Sequence, residues 1–571
     1  MLLSSPIQLL DLLCVALLAA PAYGGLIARQ NDAPTVNVKN GSYYGVHSSS
    51  YNQDFFLGMP FAQPPVGELR FNLPKSLNTT WDNPKNATQY GYECYGYGSD
   101  QWVLGNVVSE DCLTLNVVRP SGIGQNATLP VGVWIHGGGF FEGGNRDPRY
   151  NLSNIVQASV DMGKPFIGVS INYRLQAFGY IFGTAVMKEG VTNLGFRDQR
   201  LALHWVQENI AAFGGDPSQV TIWGESAGGN SVGTHLIAYG GRDDKLFRAG
   251  IMESGGPVPF GASVNASAWD KYYNNITKAT NCSSASDTLA CLRKVPIQKL
   301  SNVLNSSVTA TVPGWGGVID GDFIKGSISQ QLLDGKFVKV PILQGANFDE
   351  GTSFGGKGIN TTQQFLAYVM SAGPNMTTAQ TIAALYPDIP GIGIPATLDG
   401  RPTGPCAILG KQYKRASAYG GDLSMHAPRR FTSMCWAAQN LSGYSYHFNV
   451  VPNGVPPQIG ATHFQEVAFV FDNTAGQGYN NSVAEDPFAN KPPSYDRLAN
   501  IMSRMWASFI TDLDPNMNNA TTVHWPEYNL TTPQNMVFDT NDTNLMYAED
   551  DFYRAEGIAF ISENFVGVYG R

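Results

Sequence analysis

The sequence predicts an α/β fold, with a mostly parallel central sheet, helices on both faces, and helical and loop insertions. Three observations carry this. Short apolar runs recur at 131–135 (VGVWI), 166–172 (FIGVSIN) and 220–223 (VTIW). They are continuous rather than alternating, as strands buried on both faces are. A helical pattern at 197–210 stands between two of them, which is the order of a parallel sheet.

Composition sets the outer bounds. The 571 residues carry 36 Lys+Arg against 45 Asp+Glu, a formal net charge of -9. Hydrophobic residues make up 43%, enough for a large core, so wholesale disorder is excluded. The acidic balance and the lack of a Lys/Arg-rich run argue against a nucleic-acid partner.

The elements follow in chain order. LLCVALLAA at 12–20 is too short to span a bilayer, which takes ~20 residues. Small residues Ala22 and Gly24 follow it, so 1–24 reads as a secretory signal peptide. No other stretch suits a membrane helix, so no stable membrane insertion is expected. The strand at 131–135 leads into His136-Gly137-Gly138-Gly139-Phe140. The helix at 197–210 stops before Gly214-Gly215-Asp216-Pro217. The strand at 220–223 opens into Gly224-Glu225-Ser226-Ala227-Gly228, and 230–239 is helix-capable. Further strands read at 249–252, 340–344 and 444–451. The Pro/Gly-rich region from about 374 to 430 reads as a helical subdomain or cap.

G-x-S-x-G between a strand and a helix is a nucleophile elbow, the mark of the α/β-hydrolase fold. The sharp turn lifts the serine hydroxyl above the sheet, and the helix N-terminus favours developing negative charge. The glycine run at 137–139 lets backbone N–H groups face an oxyanion, with Gly138, Gly139 and Ala227 as the expected donors. The chain order Ser, acid, His leaves four histidines downstream: His426, His447, His463 and His524. His463, in a loop after the late strand, is favoured and His426 is the runner-up. His447 reads as a packed strand residue. The strand at 340–344 runs towards Asp349-Glu350-Gly351. Either carboxylate can hold the histidine tautomer, and the other is expected to be a solvated loop charge. No metal-ligand spacing appears, and the chemistry needs no cofactor.

Seven cysteines become six once Cys14 leaves with the signal, an even number suited to disulfides. Sixteen N-x-S/T sequons also suit a secreted glycoprotein.

These motifs together resemble the type B carboxylesterase/lipase family, most closely its secreted Candida- and Geotrichum-type lipases. The likeness also rests on Gly58-Met59-Pro60-Phe61-Ala62, Ser109-Glu110-Asp111-Cys112-Leu113, Asn172-Tyr173-Arg174 and 211–217 (AAFGGDP). It implies a catalytic triad of Ser226, Glu350 and His463, with 25–571 as one catalytic domain. It implies disulfides Cys94–Cys112 and Cys282–Cys291, which leaves Cys406 and Cys435 to pair. It also implies a structural Arg70–Glu110 ion pair and a buried Ser254 supporting the acid. Only 17 residues lie between Cys94 and Cys112, where related lipases carry a long amphipathic lid. That favours a small-molecule ester of short to medium acyl chain over a lipid ester at an interface. The alternatives are a triacylglycerol lipase, a cholinesterase-like enzyme using Glu225 and Trp102, an acyltransferase, and a non-catalytic binding protein on the same fold.

Overall fold

Val131, Val133 and Ile135 face one apolar layer, while Trp134 between them faces another. The strand Leu129–Ile135 therefore lies at the middle of the molecule, covered on both sides. The structure, a computed structural model, describes residues 33–571 except 100–104, 106, 125, 260–264, 482–483 and 542. The expected signal peptide and Trp102 lie outside the described residues.

Eleven strands form the main sheet. In chain order they are β1 Val46–Ser48, β2 Gln53–Pro60, β3 Thr114–Pro120, β4 Leu129–Ile135, β5 Ile167–Ile171 and β6 Gly215–Glu225. Then come β7 Ala249–Glu253, β8 Ile342–Asn347, β9 Gly443–Phe448, β10 Gln534–Asn541 and β11 Asn544–Asp550. Their spatial order is β11-β10-β9-β8-β7-β6-β4-β5-β3-β2-β1. The run from β10 to β5 is parallel, and antiparallel strands close both edges. A small sheet of Thr35–Val38, Gly41–Tyr44 and Lys85–Asn86 stands apart.

Helices cover both faces. α1 Leu152–Asp161 starts where the Asn151 side chain accepts the Ser153 N–H. α2 Leu194–Asn209 and α3 Ala227–Gly241 pack on the layer of Val133 and Ile222. α4 Ser494–Asp512 buries Leu498, Met502, Met505, Trp506 and Phe509 against Trp134, Trp223 and Ile251 on the other face. The Pro/Gly-rich region is helical in part: Met376–Leu385 is a helix, and 386–412 holds only two short 3-10 turns. Tyr413–Gly421, the π-turn Asp422–His426 and Ala427–Ala438 join end to end through right-handed helical junction residues.

That rod overturns the expected Cys406–Cys435 bond. Cys406 lies just before its start and Cys435 near its end, and both thiols are free. Cys406 sits in the short turn Gly404–Leu409 ahead of the rod, whose twenty-two steps from Tyr413 to Cys435 cover roughly 33 Å. Cys94–Cys112 and Cys282–Cys291 are formed. Arg70 connects them: its guanidinium donates to both Glu110 oxygens at 2.6 and 2.7 Å, and to the Arg293 and Val295 carbonyls.

Candidate active site

β6 and α3 meet at Ser226 with φ 56 and ψ -120, outside the regions open to ordinary L residues. The turn is locked on both sides. The Ser226 N–H donates to the Glu253 carbonyl at 2.8 Å, and the Asn230 N–H donates to the Ser226 carbonyl at 2.8 Å. The flanking glycines are required by packing. A Cβ on Gly228 would lie 2.0 Å from the Ile135 carbonyl oxygen, and one on Gly224 2.6 Å from the same atom. The elbow thus sits directly on the end of β4.

The glycine run continues from that strand end. Gly138 and Gly139 adopt φ 95 and 60. The loop is held from below, where His136 stacks on Tyr173 at 4.4 Å and the Tyr173 hydroxyl donates to the His136 carbonyl at 2.7 Å. The N–H groups of Gly138, Gly139 and Ala227 donate to no acceptor among the described residues. Gly139 and Ala227 line the same cavity as Ser226.

His463 reaches this point from the loop after β9. Its Nδ1 is 2.8 Å from Glu350 Oε2, and its Nε2 is 3.2 Å from Glu225 Oε1. The Phe354 ring meets the imidazole edge-on at 4.7 Å. Glu350 is fully buried, and its Oε1 accepts from the Asn347 N–H at 2.9 Å and from Ser254 Oγ at 2.5 Å. Of the two carboxylates left open by the residues alone, Glu350 is the one that touches His463.

Asp349 corrects an expectation. It is no solvated charge but only 3% exposed, because β8 carries it under the histidine loop. There its Oδ2 accepts the Ala461 N–H at 2.9 Å. The other histidines stand elsewhere. His426 is buried in the helical rod, His447 pairs with Glu549 at 2.8 Å, and His524 is exposed near the C-terminal strands.

Sequence reasoning missed one group. Glu466, three residues after His463, is buried and accepts from Asn347 Nδ2 at 2.6 Å and Ser254 Oγ at 3.3 Å. With Glu225, Glu253 and Glu350 it makes four carboxyls behind one imidazole. No spacing rule marks such a set, since each comes from a different element end.

Electrostatics follow from this crowding. Burial pushes the Glu225 and Glu253 carboxyls well above the usual range. Burial and then Glu350 lift Glu466 to about 7. Burial alone lowers an imidazole, but Glu350 and Glu225 outweigh it and hold His463 at about 9.

A cavity of about 550 Å³ opens beside Ser226. Phe140, Phe196, Trp269, Ile324 and the glycine-rich segment 313–317 wall it, and Phe354 bridges it to His463. None of the described residues of the Cys94–Cys112 loop lines it. No helix among the described residues is long and apolar enough to cross a membrane.

The arrangement has relatives. The Carboxylesterase family profile matches residues 32–560. Lipase 5 of Diutina rugosa is 36% identical over 539 residues, covering 88% of this chain and 91% of that one. Lipase 2 of Geotrichum candidum is 33% identical over 562 residues, covering 90% and 93%. The secreted triacylglycerol lipase LIP1 of Gibberella zeae is 32% identical over 561 residues, covering 93% and 90%. The crystal structure of Aspergillus niger EstA superposes with a TM-score of 0.79 at 28% identity, covering 95% of this chain and 100% of that one. With its elbow, glycine run and buried acid–imidazole pair in one place, the chain belongs to the carboxylesterase family and is a carboxylic ester hydrolase.

Proposed function

We propose that the protein hydrolyses carboxylic esters of short to medium acyl chain through an acyl-enzyme on Ser226. The observation that carries the reading is the 2.8 Å contact between His463 Nδ1 and Glu350 Oε2 beside the strained serine elbow. Glu350 fixes the tautomer in which Nε2, 3.2 Å from Glu225 Oε1, is the nitrogen that takes the Ser226 proton. The serine oxygen attacks the ester carbonyl. The new oxyanion accepts from the Gly138, Gly139 and Ala227 N–H groups, each worth roughly 10²–10³ in rate. The imidazolium sits between Glu350 and Glu225 and then protonates the leaving alkoxide. Water enters by the reverse path and releases the acid. Residues 1–24 as a signal peptide and the two disulfides support an extracellular site of action.

A triacylglycerol lipase is the second reading. The depth and apolar walls of the cavity favour it, and so do relatives that bear that name. Hydrolysis of p-nitrophenyl esters from acetyl to palmitoyl, beside emulsified triglyceride, separates the two. The expected result is turnover of short soluble esters that Ser226→Ala abolishes, with weak action on the emulsion. Strong, interface-dependent action on triglyceride selects the lipase. No Ser226-dependent turnover of any ester overturns both.

A further inference from the structure

A second cavity, of about 920 Å³, lies along the outer edge of the sheet. All three residues of β1 line it, with Phe55 of β2, the segment 88–92 and Arg146. It shares no lining residue with the cavity beside Ser226. β1 is the last strand of the sheet, so one of its sides pairs with no other strand among the described residues. Such an edge invites pairing with another chain unless something covers it.

The lining joins aromatic rings to polar groups. Tyr90 and Tyr92 are 42% and 53% exposed, and Ser48, Gln89 and Arg146 line the same groove. A pyranose ring has the matching mixture, an apolar C–H face and a rim of hydroxyls, and an exposed aromatic ring with polar neighbours suits it. The volume falls within the ~300–1,000 Å³ of sites that hold a small molecule. A sugar has a source at the rim. Asn86-Ala87-Thr88 is a sequon, and Thr88 itself lines the groove. Asn86 is exposed, and its Oδ1 accepts from the Thr88 N–H and from the Thr88 hydroxyl, each at 2.8 Å. The amide is thereby held through its oxygen, which leaves Nδ2 for modification. Two residues of chain span at most about 7 Å, so a glycan on Nδ2 begins beside the groove.

Resting on the extracellular reading, we propose that Asn86 carries an N-linked glycan whose first sugars lie in this groove, over Tyr90 and Tyr92. In the modification, Nδ2 attacks the anomeric carbon of an oligosaccharide carried on a polyprenyl diphosphate. The C–N bond forms as the C–O bond to the diphosphate breaks, and the amide proton leaves with the lipid diphosphate. The tether then holds the sugars beside the groove at about millimolar effective concentration, so contacts too weak to capture a free sugar suffice. The glycan covers the open side of β1. That neighbouring groove sets Asn86 apart from an ordinary exposed sequon.

The test uses the full chain expressed in a yeast host, with glycopeptides mapped by mass spectrometry and tyrosine exposure read by hydroxyl-radical labelling. Asn86 is expected to be modified in most molecules. Labelling of Tyr90 and Tyr92 should rise severalfold in Asn86→Gln. It should rise equally when a glycosidase strips the folded wild type, a comparison that needs no variant to fold. Thr88→Ser keeps the sequon and should keep the protection. A bare Asn86 in a secreted chain modified at other sequons overturns the proposal and leaves the extracellular reading standing. A modified Asn86 with equal tyrosine labelling before and after stripping overturns the groove as the seat of the glycan. A chain that stays in the cell with every sequon bare overturns the extracellular reading, and the proposal with it.

Discussion

Asp349 and Ala461 exchange two hydrogen bonds. The Ala461 N–H donates to Asp349 Oδ2 at 2.9 Å, and the Asp349 N–H donates to the Ala461 carbonyl at 2.8 Å. The strand end carrying Glu350 is thereby clamped to the loop carrying His463. Asp349→Ala should lower kcat by about tenfold with little change in KM, since misplacing a base costs rate rather than ground-state binding. Asp349→Asn keeps an acceptor and should retain most of the activity. Equal losses in both variants, read by steady-state kinetics, would contradict a clamp.

The crowded carboxyls predict the shape of the pH profile. In the proposed mechanism His463 must be neutral to act as base, and Glu350 and Glu225 hold it at about 9 against the lowering effect of burial. The acid limb of kcat/KM should therefore lie on the alkaline side of neutrality. Glu225→Gln removes one of the raising charges and should move that limb to lower pH. A limb that stays in place would show that Glu225 is neutral throughout the titration.

Stability should carry the same signature. The folded value of His463 is above its ordinary 6.5, so its pairing stabilises fully below that pH and is lost as pH rises through about 9. Glu466 is raised from 4.5 to about 7, so its contribution is full below 4.5 and lost as pH rises through 7. Glu466→Gln should flatten the fall in melting temperature across that second window. The control is the wild type scanned at the same pH values.

The thiols give a direct check of the connectivity. Cys406 is half-buried and Cys435 is buried, where burial pushes its thiol up to about 11. Ellman's reagent should titrate one thiol slowly in the native protein and two after denaturation without reductant. No reactive thiol in the denatured protein would mean that Cys406 and Cys435 are bonded after all.

The legible part of the molecule was its middle. The VGVWI of β4 and the VTIW of β6 are short runs buried in the sheet, and the motifs at their ends are dictated by close backbone contact, as at Gly228 against Ile135. The outer strands β1, β2, β3, β10 and β11 escaped, because segments such as QDFFLGMP and TLNVVRP have neither a clean alternation nor a continuous apolar run. The serine elbow and the glycine run were readable as local patterns. The choice of Glu350 over Asp349 came from resemblance, since it depends on which side of β8 faces the histidine loop. Glu466 and the separation of Cys406 from Cys435 depend on long-range placement, which one sequence does not encode locally.

The Arg70 bracket has a consequence for redesign. The base of the Cys94–Cys112 loop is fixed twice, by the covalent bond and by the Arg70–Glu110 pair, which also reaches the segment after Cys291. None of the described residues between these anchors walls the cavity. Extra residues grafted there add loop-closure entropy of only about 0.6 kcal/mol per doubling of length. Anchored at its base in this way, the loop is a place to graft a longer cover and so to install surface-triggered behaviour.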